Sequence, residues 1–265
     1  MHLNEALIQK FKKEIGFNEL KNKRSTNTGV VVEWPSPDTC PILSNKGWSI
    51  ESDDVEPLNE GIEGEWILKK GDETILLRIF VSCTGIEHAH QRLIEIASAT
   101  TMMTIPFKKC LRPIGTLSVY ISAAENQTYI WIFNNVCFYV RGIDTGADIE
   151  AFANWIQSFA QKGAVEDLNS QKPQIDSIHV NPQSIYVNDI FSVRVDLAEV
   201  NQEKTIHYLY DFNFDEQILE LTDDDLNKAT FKAMISGDTN ISVHVADRKT
   251  LLSDFQTIVV KIESR

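Results

Sequence analysis

The sequence predicts an α+β domain over residues 1–165, an antiparallel sheet with helices on one face, followed by an all-β sandwich over residues 174–265. Three observations carry this. Up to Gly163 the apolar residues switch between helical and strand spacing. Beyond Pro173 the spacing becomes two and stays there. Between them, Ala164 to Pro173 is polar and ends in a proline, which reads as a linker.

In the first domain, Leu3, Leu7, Ile8, Phe11 and Ile15 recur at helical spacing among lysines and glutamates. Val30-Val31-Val32-Glu33-Trp34 reads as a strand ended by Pro35. Trp66-Ile67-Leu68, a turn at Lys70-Gly71-Asp72, and Ile75 to Ser82 form a predicted hairpin. Its second strand is apolar on both sides except at Arg78, which places it centrally. Thr84-Gly85-Ile86-Glu87 matches a capping box, opening a helix whose stripe is Ile86, Leu93, Ile96 and Ala97. Three strands follow, around Val119, Trp131 and Phe138, the last two joined by Asn134-Asn135, since Asn accepts positive φ. Ile149, Phe152, Ala153, Ile156 and Ala160 then mark a second helix, with Asp148 at its start and Gly163 at its end.

In the second domain eight short segments follow one another. They are centred on Ile178, Ile185, Val193, Tyr210, Leu219, Phe231, Val243 and Val260, with Asn188-Asp189, Asp223-Asp224-Asp225 and Ser236-Gly237-Asp238 between them as turns. The run from Asn181-Pro182 to Val193 resembles the opening of bacterial immunoglobulin-like domains. Ala229 to Ile262, with Gly237-Asp238-Thr239 and Ala246-Asp247, resembles their closing hairpins. The resemblance implies an immunoglobulin-like sandwich used as a spacer or adhesion module. Residues 164–265 contain neither Cys nor Trp, so the inter-sheet disulfide and packed indole of antibody domains are absent.

The formal charge is −13, from 38 acidic and 25 basic side chains. Phosphate backbones and anionic bilayers call for basic faces, so the expected partner is neither nucleic acid nor membrane but a protein. Charge is uneven: residues 1–28 sum to +3, 29–73 to −8, and 171–265 to −7. Cys40, Cys83, Cys110 and Cys137 contain no C-x-x-C pair, which argues against a zinc knuckle or a thioredoxin-type motif and leaves their disulfide state open. No apolar run reaches spanning length. The start lacks the order of a secretory leader, so the expectation is a cytoplasmic chain or an exported one whose leader was removed.

Candidate chemistry is sparse, and no catalytic, cofactor or metal residues are assigned. His88 and His90, near Cys83 and Glu87, are two apart, which on a helix points them about 200° from each other, not toward one ion. Asp211-Phe212-Asn213-Phe214-Asp215 begins like a calcium loop, but Glu216 and Thr222 replace the Gly and Glu the loop requires. A looser site at Asp223, Asp224 or Asp225 competes with solvated acids. Cys83 or Cys110 could pair with His90 only through space. Tyr129, Trp131 and Phe133 share a strand face, as a stacking platform or as core. Asn126-Gln127-Thr128 and Asn240-Ile241-Ser242 match the glycosylation sequon. The expected function is a non-catalytic binding or protein-interaction protein. The alternative is a hydrolase with its site in the α+β domain or between the domains, and a third reading has the acids of residues 51–73 mask a basic partner.

Overall fold

The computed structural model describes residues 5–20, 29–30, 47–58, 61–83, 85–99, 104–121, 127–143, 146–165, 172–198, 208–248 and 250–264. The chain divides into two compact units, residues 1–171 with 249–251, and 172–248 with 252–265.

The first unit is organised by a seven-stranded antiparallel sheet. Its strands are β2 (Ser49–Leu58), β3 (Gly61–Lys70), β4 (Glu73–Ser82), β5 (Lys108–Lys109), β6 (Leu117–Ile121), β7 (Thr128–Phe133) and β8 (Val136–Ile143), in the order β2-β3-β4-β8-β7-β6-β5. A separate two-residue ladder joins β1 (Gly29–Val30) to β9 (Ala164–Val165). The helices are α1 (Glu5–Ile15), α2 (Phe17–Leu20), α3 (Ile86–Ser98) and α4 (Ile149–Lys162).

Successive strand residues point to opposite sides, and β7 shows where the helices lie. Ile130 and Ile132 join a core cluster with Phe80 and Cys137, under Leu93, Ile94 and Ala97 of α3 and Phe11 and Ile15 of α1. Trp131 points the other way. Its Nε1–H donates to Gln157 Oε1 of α4 at 2.9 Å, and its ring stacks on Phe138 at 4.8 Å. Each large apolar side chain so enclosed contributes about 1.5–3 kcal/mol.

The expected fold class is overturned. The described residues form seventeen strands against four helices, so the chain is mostly β, with the seven-stranded sheet curled as a half-barrel; it is not an α+β domain followed by a separate immunoglobulin-like sandwich. The helices do not share one face of the sheet: α3 and α4 take opposite faces, because β4 and β7 are apolar on both sides and each side needs cover. A strand also stands where none was expected. β2 is so acidic and exposed that it carries no apolar alternation, yet it pairs with β3 along its length.

Local details follow from residue type. The hairpin turn at Asn134-Asn135 forms, with Asn134 at φ 51°. Asp148 caps α4, its Oδ1 accepting the Ala151 amide at 2.9 Å. The residue before α3 is Gly85, at φ 142°, with no side-chain cap, and Thr84 of the expected capping box lies outside the described residues. Buried Gly64 lets the Trp66 ring lie across β3, since a Cβ there would fall 1.9 Å from Trp66 Cη2.

In the second unit eight strands build a β-sandwich. One sheet runs β10 (Ile175–Asn181), β12 (Ile190–Leu197), β15 (Lys228–Ala233), β14 (Leu219–Asp225). The other runs β11 (Ile185–Tyr186), β17 (Ser253–Glu263), β16 (Gly237–Asp247), β13 (Tyr208–Phe214), with β11 and β17 parallel. The inner faces share one core that includes Phe191, Val193, Phe212, Phe231, Val243 and Val260. Phe231 takes the edges of Phe212 at 6.4 Å and Phe214 at 5.0 Å. Asp223, Asp224 and Asp225 are not turn residues: they lie on β14, and the turn is Leu226-Asn227, with Leu226 at φ 49°.

Candidate functional site

Among the described residues no group of three or more His, Cys, Asp or Glu side chains is placed to hold a metal ion. His90 is half-buried and meets Phe17 edge-on at 6.4 Å; burial lowers its pKa, with Glu87 opposing. His88 projects elsewhere on α3, on the far side of the buried Ala89. Asp211 and Asn213 lie on the outward side of β13, opposite buried Tyr210 and Phe212, while Asp215 closes the next turn by accepting the Gln217 amide at 2.9 Å. The calcium-like run is therefore mostly strand, not loop.

Cys110 and Cys137 are poor nucleophiles. Cys83, Cys110 and Cys137 are buried thiols outside any disulfide, and burial raises the pKa of Cys110 and Cys137, which keeps them protonated. Cys40, Asn126 and the segment Val31 to Trp34 lie outside the described residues. Asn240 is exposed on β16. The aromatic strand face is core: Trp131 is wholly enclosed, and Tyr129, which donates its hydroxyl to Glu150 at 3.1 Å, is nearly so. Burial, reinforced by Glu150, raises the Tyr129 pKa.

Three constellations escaped the sequence. The first is a buried ion pair between β3 and α3. Arg92 donates to both oxygens of Glu63, Nε to Oε2 at 2.9 Å and Nη2 to Oε1 at 2.8 Å. Burial raises the Glu63 pKa, partly offset by Arg92. A fork this well matched is a brace, with both carboxylate oxygens already used.

The second constellation is Ser177, His179, Asp196 and Arg194, side by side on the outward faces of β10 and β12. The register pairs Ser177 with Asp196 and His179 with Arg194. It looks like a Ser-His-Asp relay and is not one. Ser177 Oγ at 3.0 Å and Asp196 Oδ2 at 3.1 Å both lie against His179 Nε2, whereas a relay places the acid on one ring nitrogen and the nucleophile on the other. Arg194 also donates to the same Asp196 oxygen at 2.9 Å, and His179 is 57% exposed. In the third constellation Asp211 faces His244 across the β13–β16 ladder, with the His244 ring stacked on Phe255 at 5.3 Å. Burial raises the Asp211 pKa and lowers that of His244, each opposed by the other's charge.

The remaining feature is apolar. At one end of the sandwich Ile190, Met234 and Ile235 are 62%, 42% and 54% exposed. Backbone bonds gather their segments: Asn188 N to Ala233 O at 2.8 Å, Ala233 N to Asp189 O at 3.0 Å, and Met234 N to Ile218 O at 2.8 Å. Asp189 Oδ2 also accepts the Tyr186 amide at 3.0 Å, closing the turn before Ile190. The corner is thus held by hydrogen bonds although its side chains stand in water. A sequence signal existed, since Met234-Ile235 runs past the end of a strand into Ser236-Gly237.

No family model matches the chain, and no curated protein does. The resemblance of residues 181–262 to bacterial immunoglobulin-like domains thus has no family match behind it. Among solved structures the chain is similar to a polysaccharide lyase at 6% identity and a TM-score of 0.22, over 83% of this chain and 34% of the lyase. The chain spans about a third of that neighbour's length, and so slight a likeness carries no argument.

Proposed function

We propose that this chain is a non-catalytic protein-interaction protein that engages its partner through the apolar corner of the sandwich. The observation that carries the reading is the exposure of Ile190, Met234 and Ile235 on segments tied together by backbone hydrogen bonds. Large apolar side chains gathered on a braced surface commonly mark association sites. Loops at one end of a sandwich are also where such folds present binding residues. Lys232, opposite Ile190 in register, and Glu220, opposite Lys232, supply a polar rim.

A photo-crosslinking amino acid placed at Ile190 or Ile235, with the full chain in its native cell, tests this. One discrete protein adduct is expected from these positions and none from a control position such as Thr257. Adducts equally abundant at Thr257 would contradict it.

A further inference from the structure

The seven-stranded sheet ends in two edges of opposite sign. At one, β5 presents exposed Lys108 and Lys109; the chain then passes through buried Cys110 to Leu111 and Arg112, both exposed. Leu111 is 100% exposed, the most exposed large apolar side chain among the described residues. Enclosing a leucine is worth about 1.5–3 kcal/mol, so one held wholly in water among three cations is placed to be covered by something anionic. Helix α1 lies beside β5 and carries Lys12, Lys13 and Glu14 in its last turn, and the Lys109 ammonium and the Glu19 carboxylate lie 2.9 and 3.5 Å from where a Gly16 Cβ would be.

At the opposite edge, β2 presents Glu51, Asp53, Asp54 and Glu56, all exposed, around half-buried Val55. Lys69 reaches Glu51 at 3.6 Å; among the described residues Asp53 and Asp54 enter no ion pair. Among the described residues β2 is the outermost strand, and its acids, Pro57 and the register shift between Ile50 and Ser52 make it an edge met through side chains. The two edges are opposite in sign: Lys108, Lys109 and Arg112 flank exposed Leu111 at one, and Glu51, Asp53, Asp54 and Glu56 flank half-buried Val55 at the other.

We propose that a second copy of this chain docks across these edges, the Lys108–Arg112 segment of one copy against the Ser49–Leu58 strand of the next. Such a contact is head to tail, so every assembly still offers one free edge of each sign. An anionic lipid surface would take up the basic loop equally well but would leave the acidic edge unused. A second copy uses both. Its residues belong to the first unit and those of the sandwich corner to the second, so this association and the partner proposed there are tested by different substitutions.

Sedimentation velocity on the full chain across a wide concentration range tests the proposal. At low salt the weight-average mass is expected to rise with concentration. At about 1 M salt, where the screening length falls to about 3 Å, it is expected to return to that of the monomer. The reversals K108E/K109E/R112E and D53K/D54K/E56K each give a chain with edges of one sign, and each is expected to stay monomeric. Mixed one to one, they are expected to assemble again, since every edge then finds its opposite. A wild-type chain monomeric at every concentration would overturn the proposal, as would reversed variants that assemble like wild type or a mixture that does not. Loss of binding to anionic vesicles on Leu111→Asp, in a chain that never self-associates, would also overturn it and assign the loop to lipid.

Discussion

The first unit encloses its sheet on both faces, between α3 and α4, while in the second unit the sheet β10-β12-β15-β14 buries one face and turns half-buried and exposed side chains outward on the other. Polar side chains fare differently in the two settings. In the first unit Glu63 and Trp131 are taken from water and each is matched, Glu63 by Arg92 and Trp131 by Gln157. In the second, Ser177, His179 and Asp196 touch one another on an outer face where water competes for every contact. Proximity of catalytic residue types is thus a weak guide to chemistry. The geometry at His179 Nε2 excludes a relay, and the forked pair at Glu63 is structural support for α3.

If that contrast holds, the largest loss comes from breaking the enclosed pair. Arg92→Leu strands the Glu63 carboxylate and is expected to destabilise the protein by about 3–5 kcal/mol in urea unfolding, with Glu63→Leu/Arg92→Leu recovering most of the loss. A single substitution no costlier than the double would show the pair to be uncoupled. Trp131→Phe ranks next, at about 1–3 kcal/mol, because it removes the partner of Gln157 Oε1 in a site where Gln157 Nε2 is already unmatched.

Two groups of the first unit give stability opposite dependences on pH. His90 titrates below its ordinary value of 6.5 in the folded chain, so its contribution is present above that value and lost as pH falls through the lowered one. His90→Gln is expected to flatten the acid limb of stability between about pH 7 and 5, read from chemical denaturation at several pH values. Glu63 has the opposite sign. Its folded value lies above 4.5, so its contribution is complete below that and declines as pH rises through the raised value. The smallest effect belongs to the outer face of the sandwich: His179→Ala is expected to change stability by no more than about 0.5 kcal/mol. A loss of several times that would mean the cluster is braced in a way its exposure does not convey.

Much of the strand framework was legible because the chain spells it in apolar residues. Ile75 to Ser82 and Tyr129 to Phe133 appear where alternating or continuous apolar runs put them. The same runs held the clue to the error in fold class, since Ile130 and Ile132 are as apolar as Trp131 and a sheet greasy on both sides needs helices on both. Strand β2 was not legible, because Glu51, Asp53, Asp54 and Glu56 leave no periodicity; its place comes from pairing with β3. The Ser177–His179–Asp196 cluster was out of reach for another reason. Its members come together through the cross-strand register of β10 and β12, which local spacing does not encode. The apolar corner had a visible signal in Met234-Ile235 but needed Ile190, more than forty residues earlier, to become a surface.

In the function proposed above, the chain works by association at the sandwich corner and not by chemistry at the polar face. Affinity capture from the native cell with three full-length baits, wild type, Ile190→Asp/Ile235→Asp and His179→Ala, sets the two against each other directly. A partner kept by wild type and His179→Ala but lost by the corner variant is the predicted result. A partner held equally by the corner variant, or a hydrolytic turnover by wild type that His179→Ala abolishes, would contradict it.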